Sequence, residues 1–86
     1  MYNYNTNKDP VYLKQPNKWF VSHSAWQGRQ IKTAVSDLPS GDVTYFPDKH
    51  VYRLRVGSIR VMFEVIKGRV TVYKIGSRGD VYKGAK

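Results

Sequence analysis

"VYRLRVGSIRVMFEVIKGRVTVYKI", residues 51–75, decides how this chain folds. Within it and just before it, the runs "HVYRLRV", "IRVMFEVI" and "RVTVYKI" alternate apolar and polar residues, the period of strands buried on one face. The separators are Gly57-Ser58 and Lys67-Gly68. Two-residue connections containing glycine mark hairpins, because the turns that match strand twist need a positive φ. The stretch reads as an antiparallel three-stranded meander.

A turn at Gly57-Ser58 sets Val56 opposite Ile59, and the ladder then pairs Arg55 with Arg60, Leu54 with Val61, and Arg53 with Met62. Directly opposed residues share a face. Leu54, Val56, Ile59, Val61, Phe63 and Val65 therefore form an apolar face, joined by Val70 and Val72. Arg53, Arg55 and Arg60 gather on the other face with Thr71 and Tyr73. Opposed like charges cost about a few tenths of a kcal/mol, part of which long side chains relieve by splaying into water. The face is then either solvated surface or an anion site. Three arginines without a lysine favour the second, since guanidinium binds phosphate or carboxylate in a planar, bidentate way.

Working outward, the first half of the chain looks helical, and helices followed by strands argue for an α+β fold, N-terminal helices packed on a twisted antiparallel sheet. "MYNYNTNK" reads as an edge strand or a disordered polar start. Asp9 before Pro10 reads as a helix N-cap with proline at the first helical position, and Pro16 ends or restarts that helix. From Trp19 to Leu38 apolar residues recur at Phe20, Ile31, Ala34, Val35 and Leu38, the last four at the three-to-four spacing of one buried helical face, which Gly28 and "SHS" weaken in the middle. "LPSGDVTYFPDK" reads as a loop with one extended piece around Val43–Phe46.

Composition narrows the class. At 86 residues the chain has room for one domain, residues 1–86, with one modest core. Its formal net charge of +9 predicts a polyanionic partner. There is no cysteine, and two histidines, His23 and His50, are too few for a histidine metal site, so neither metal nor other cofactor is expected. No apolar run spans a membrane and no signal peptide is visible, which makes the cytoplasm the expected compartment.

The final stretch, "YKIGSRGDVYKGAK", brackets Arg78 between Gly76 and Gly79, with Tyr82 four residues on. One reading is a turn that swings a further guanidinium and an aromatic ring toward the arginine face, suited to single-stranded RNA. The other is a plain tail, with Tyr82 closing the core edge.

"LPSGDV", "VYRLRVGSIRVMFEV" and "GRVTVYKIGSRGDVYK" together resemble the bacterial RelE-type toxins of type II toxin–antitoxin systems, in the RelE/ParE superfamily. The resemblance runs from about Leu38 to Lys83, roughly half the chain. It implies a metal-independent endoribonuclease that cuts messenger RNA, commonly in the ribosomal A site, by attack of the 2′-hydroxyl on the adjacent phosphate. Carried over residue by residue, the family's basic strand residues are Arg53, Arg55 and Arg60, its catalytic arginine is Arg78 and its terminal tyrosine is Tyr82. Arg53 and Arg60 would stabilise the phosphorane, Tyr82 would stack on or orient a base, and Arg78 would contact the phosphate and assist the 5′-oxygen. The position of Arg55 is a lysine, proposed as general base, in the well-known bacterial type, and a guanidinium does not give up its proton. His50 lies on the Tyr52 side by alternation. Glu64 lies on the arginine face, as a base or as an ion-pair partner for Arg55 or Arg60.

The same resemblance implies a cognate antitoxin as partner, an acidic or amphipathic segment laid across helices and sheet, with a toxin that is monomeric when free. Two alternatives stand beside it: a ParE-like inhibitor of DNA gyrase, and a basic RNA- or ribosome-binding module without catalysis.

Overall fold

The computed structural model describes residues 9–77. In chain order the elements are β1 (Val11–Tyr12), α1 (Lys14–Ser22), α2 (Ala25–Ser36), β2 (Asp42–Phe46), β3 (Val51–Val56), β4 (Ile59–Ile66) and β5 (Arg69–Ser77). They form two helices on a five-stranded sheet of order β1-β5-β4-β3-β2, an α+β architecture.

The meander has the expected register, with Val56 opposite Ile59, Arg55 opposite Arg60, Leu54 opposite Val61 and Arg53 opposite Met62. Its turns supply the required backbone: Gly57 has φ +59°, and Lys67 and Gly68 have φ +52° and +78°. The extended piece in "LPSGDVTYFPDK" begins at Asp42 and pairs antiparallel with β3 over its whole length.

The sheet is mixed rather than wholly antiparallel. Val11 and Tyr12 do not open a helix behind Asp9-Pro10; they run parallel to β5, opposite Thr71 and Val72. Strand β5 would otherwise present open amides and carbonyls at the sheet edge. The Leu13 amide donates to the Val72 carbonyl at 2.9 Å, and the Gln15 side chain continues the ladder where β1 stops. Its Nε2 donates to the Ile75 carbonyl at 2.9 Å, and its Oε1 accepts from the Ile75 amide at 2.8 Å. Pro16 restarts the chain as helix, sitting in the first turn of α1, where a missing N–H is harmless. The helices thus follow a short strand instead of opening the fold.

The break at "SHS" separates α1 from α2. Ser24 caps α2: its Oγ accepts from the Gln27 amide at 3.1 Å, and Gln27 Oε1 accepts from the Ser24 amide at 3.3 Å, a reciprocal capping box. Gly28 stays inside α2 because a Cβ there would approach Phe20 to 3.3 Å, so its absence lets the two helices close.

Helix α1 lies against β5 and α2 against β3. The core between the layers joins Trp19, Ile31, Val35 and Leu38 to Leu54, Val61, Phe63, Val70, Val72 and Ile75. Among the described residues no helix is long and apolar enough to cross a membrane.

Strand β5 is irregular. Met62 pairs with Lys74 but Phe63 pairs with Val72, so β5 carries an extra residue, Tyr73, at a β-bulge. Simple alternation would put Ile75 on the same side as Thr71 and Tyr73. The bulge reverses the phase, so that Ile75 enters the core at 1% exposure.

Candidate nucleic-acid interface

The sheet face turned away from the helices carries Arg53, Arg55 and Arg60 together, as the ladder requires. Cross-strand pairing also places Asp42 and Thr44 of β2 there, opposite Arg55 and Arg53 respectively. Opposed Cα atoms in such pairs lie about 4.5–5.5 Å apart, and diagonal neighbours about 7–8 Å. Arg60 is central: Arg55 stands directly across from it, and Arg53 is its diagonal neighbour on β3.

The three guanidinium groups have different surroundings. Arg55 is about half exposed and its Nε lies 2.9 Å from Asp42 Oδ2. That ion pair relieves the repulsion with Arg60. Arg53 donates from Nη2 to Thr44 Oγ1 at 3.2 Å, and its guanidinium carbon lies 5.6 Å from the centre of the Phe46 ring. Arg60 is only 9% exposed, with one donor directed to the Gly57 carbonyl at 3.3 Å. Its Nε is buried and has no acceptor. A charge withdrawn from water without matching acceptors is costly, and an anion above the sheet would supply them.

The face is not uniformly solvated. Val51 and Met62 form a small apolar cluster on it with Phe46 and Tyr73, a floor beside the arginines. Burial, and the Glu64 carboxylate secondarily, push the Tyr73 hydroxyl above its ordinary value.

Glu64 is exposed and stands opposite Thr71, away from the arginine pair. The partner of Arg55 is therefore Asp42, which lies directly across the β2–β3 ladder. His50 has φ +56° and its Nδ1 is hydrogen-bonded to the Tyr45 hydroxyl at 3.1 Å. Tyr45 pairs with Tyr52, so His50 belongs to the helix side of the sheet edge. Arg78 and Tyr82 lie outside the described residues. Among the described residues no group of three His, Asp or Glu side chains is arranged to hold a metal ion.

Sequence reasoning missed Lys74. Paired with Met62, it shares the arginine face, and Gly76 rather than a side chain stands opposite Arg60. A signal was present: Val70, Val72 and Ile75 are spaced two and then three apart, the mark of a bulge in an otherwise alternating strand.

No family model matches the chain, and no curated protein matches it in sequence. Among solved structures it is similar to a chain of the RelB–RelE antitoxin–toxin complex from Methanococcus jannaschii. The TM-score is 0.68 at 17% identity, over 88% of this chain and 99% of that one. At that identity the likeness is one of fold.

Proposed function

We propose that this protein is the toxin component of a type II toxin–antitoxin system, of RelE type, and a metal-independent messenger-RNA endoribonuclease acting at the ribosome. The observation that carries the reading is Arg60, a guanidinium nine-tenths buried on an open sheet face, with a buried Nε that has no acceptor and with Arg53 and Arg55 as neighbours. The likeness in fold to a chain of an antitoxin–toxin complex, and the sequence resemblance over 38–83, support the same conclusion.

In the proposed reaction the 2′-oxygen attacks phosphorus, the bond to the 5′-oxygen breaks, and a 2′,3′-cyclic phosphate and a 5′-hydroxyl result. Negative charge develops on the non-bridging oxygens of the phosphorane, where fixed guanidinium donors act most strongly. Arg53 and Arg60 take that role. Arg55, held by Asp42, binds phosphate and does not take the proton. Arg78 and Tyr82 complete the set by resemblance, at the leaving group and the neighbouring base. A cognate antitoxin would cover this face; the net charge of +9 suits an acidic partner.

The test is incubation of the purified protein with programmed ribosomes, followed by mapping of new 5′ ends. Cleavage within the A-site codon, lost in Arg78→Ala, is the expected result. Intact message together with inhibited gyrase supercoiling would place the protein with the gyrase inhibitors instead. Intact message with retained ribosome binding would leave a non-catalytic module.

A further inference from the structure

The bulge in β5 returns Ile75 to the core, and it also changes the opposite face. It sets Tyr73 and Lys74 side by side opposite Met62, where regular alternation would put only one residue. Met62 in turn pairs with Arg53, so Arg53 and Lys74 flank it on two sides, about 10 Å apart across two strand spacings. Lys74 is also the diagonal neighbour of Arg60 through the Arg60–Gly76 pair, and Gly76 puts no side chain between them.

The two bulge residues are chemically complementary. Lys74 is partly exposed and makes no ion pair among the described residues, although Glu64 shares its face. Tyr73 packs against the Val51–Met62 floor and keeps part of its ring in solvent. Burial, and Glu64 secondarily, push its hydroxyl above its ordinary value. A cation beside a supported aromatic ring is the pairing that single-stranded nucleic acid uses, one for the phosphate and one for the base.

We infer that the β5 bulge builds a nucleotide subsite for single-stranded RNA, in which Lys74 binds a phosphate adjoining the one held by Arg60 and Tyr73 supports the attached base. The subsite rests on the proposed RNA-cleaving function and extends it away from the hairpin turn. The phosphate rows through Arg60 and through Lys74 are two residues apart along the strands, about 7 Å. Extended RNA can bridge such a step between neighbouring phosphates.

The experiment measures binding of a short single-stranded RNA with 2′-O-methyl riboses, which cannot be cleaved, by fluorescence anisotropy over a range of salt. Loss of one phosphate contact should weaken binding about fivefold near 0.1 M salt and reduce the log–log salt slope by about 0.7. Lys74→Met should show both changes and Lys74→Arg neither. Tyr73→Leu should weaken binding at least about fivefold with the slope unchanged, and Tyr73→Phe should bind as the parent does. Lys18→Met, the same charge change on exposed α1, sets the background, and thermal melts of each variant establish that it is folded.

If Lys74→Met and Tyr73→Leu bind no more weakly than Lys18→Met while Arg60→Met loses affinity, the subsite is wrong and the RNA-binding face stands. If Arg60→Met also binds as the parent does, the proposed function itself fails.

Discussion

The two faces of strand β4 differ by one residue in sequence and by what their buried atoms find. Val61 and Phe63 look toward the helices with 0% exposure, and their side chains belong to the apolar core. Arg60, on the opposite face, is only 9% exposed, yet a buried nitrogen of its guanidinium finds no acceptor. Burial alone does not say whether a residue's polar atoms are satisfied by the fold. What the buried polar atoms find decides it.

Phe63→Ala attacks the first face and should show the largest effect, about 3–5 kcal/mol of stability by transfer and cavity terms. Urea unfolding followed by circular dichroism measures it. A loss below ~1 kcal/mol would mean that the helix-side core is not what holds the sheet.

Arg60→Met attacks the second face and should separate the two properties. Ribosome-dependent cleavage should fall about 100-fold or more, as when a preorganised charge donor is removed. Stability should be unchanged or improved, because an apolar side chain replaces a poorly compensated charge. Loss of both activity and stability would make Arg60 a structural residue and remove the contrast.

Between the faces lies the sheet edge. Gln15→Ala leaves the Ile75 amide and carbonyl without their side-chain partner, at a cost of about 1–3 kcal/mol. Gln15→Glu should recover only the half of the interaction in which an oxygen accepts from the amide. Hydrogen exchange at Ile75 reports both directly, and unchanged protection in Gln15→Ala would show that the amide contributes nothing there.

Asp42→Asn tests the exposed ion pair with Arg55. Its effect on stability should be under ~1 kcal/mol, as for other solvent-exposed pairs. RNA binding should tighten slightly, since one carboxylate leaves the face. Weaker binding would show that Asp42 positions Arg55 rather than competing for it.

The smallest effect at neutral pH concerns Tyr12, whose hydroxyl burial pushes up to about 12. The folded state holds this proton more tightly than the unfolded chain, whose tyrosines titrate near 10. That contribution to stability is present below about pH 10 and is lost as pH rises toward 12. Alkaline melting curves should therefore decline less steeply for Tyr12→Phe, and identical curves would mean that Tyr12 is not buried as placed.

Legibility followed the range of the interactions. The hairpin register was readable because Gly57-Ser58 fixes the alignment locally and alternation then propagates it, so the joint placement of Arg53, Arg55 and Arg60 followed. The helical face at Ile31 and Val35 was readable for the same reason, a short period repeated, whereas Leu38 reaches the core from the turn just past α2. Asp9-Pro10 misled because a cap signal is weak beside a strand edge that needs hydrogen-bond partners. Glu64 misled as an ion-pair partner because its strand neighbour in space is Thr71.

From the residues alone came the meander, the separation of apolar and arginine faces, and the net charge of +9. These depend on residue type and on spacings of two to four. Only the tertiary structure decided that Val11 and Tyr12 close the sheet in parallel, that Asp42 meets Arg55, and that Arg60 is buried while charged. It also carried Lys74 across to the arginine face. Each of these depends on which distant segment reaches a given backbone edge or side chain, and that competition is settled by packing the whole chain at once.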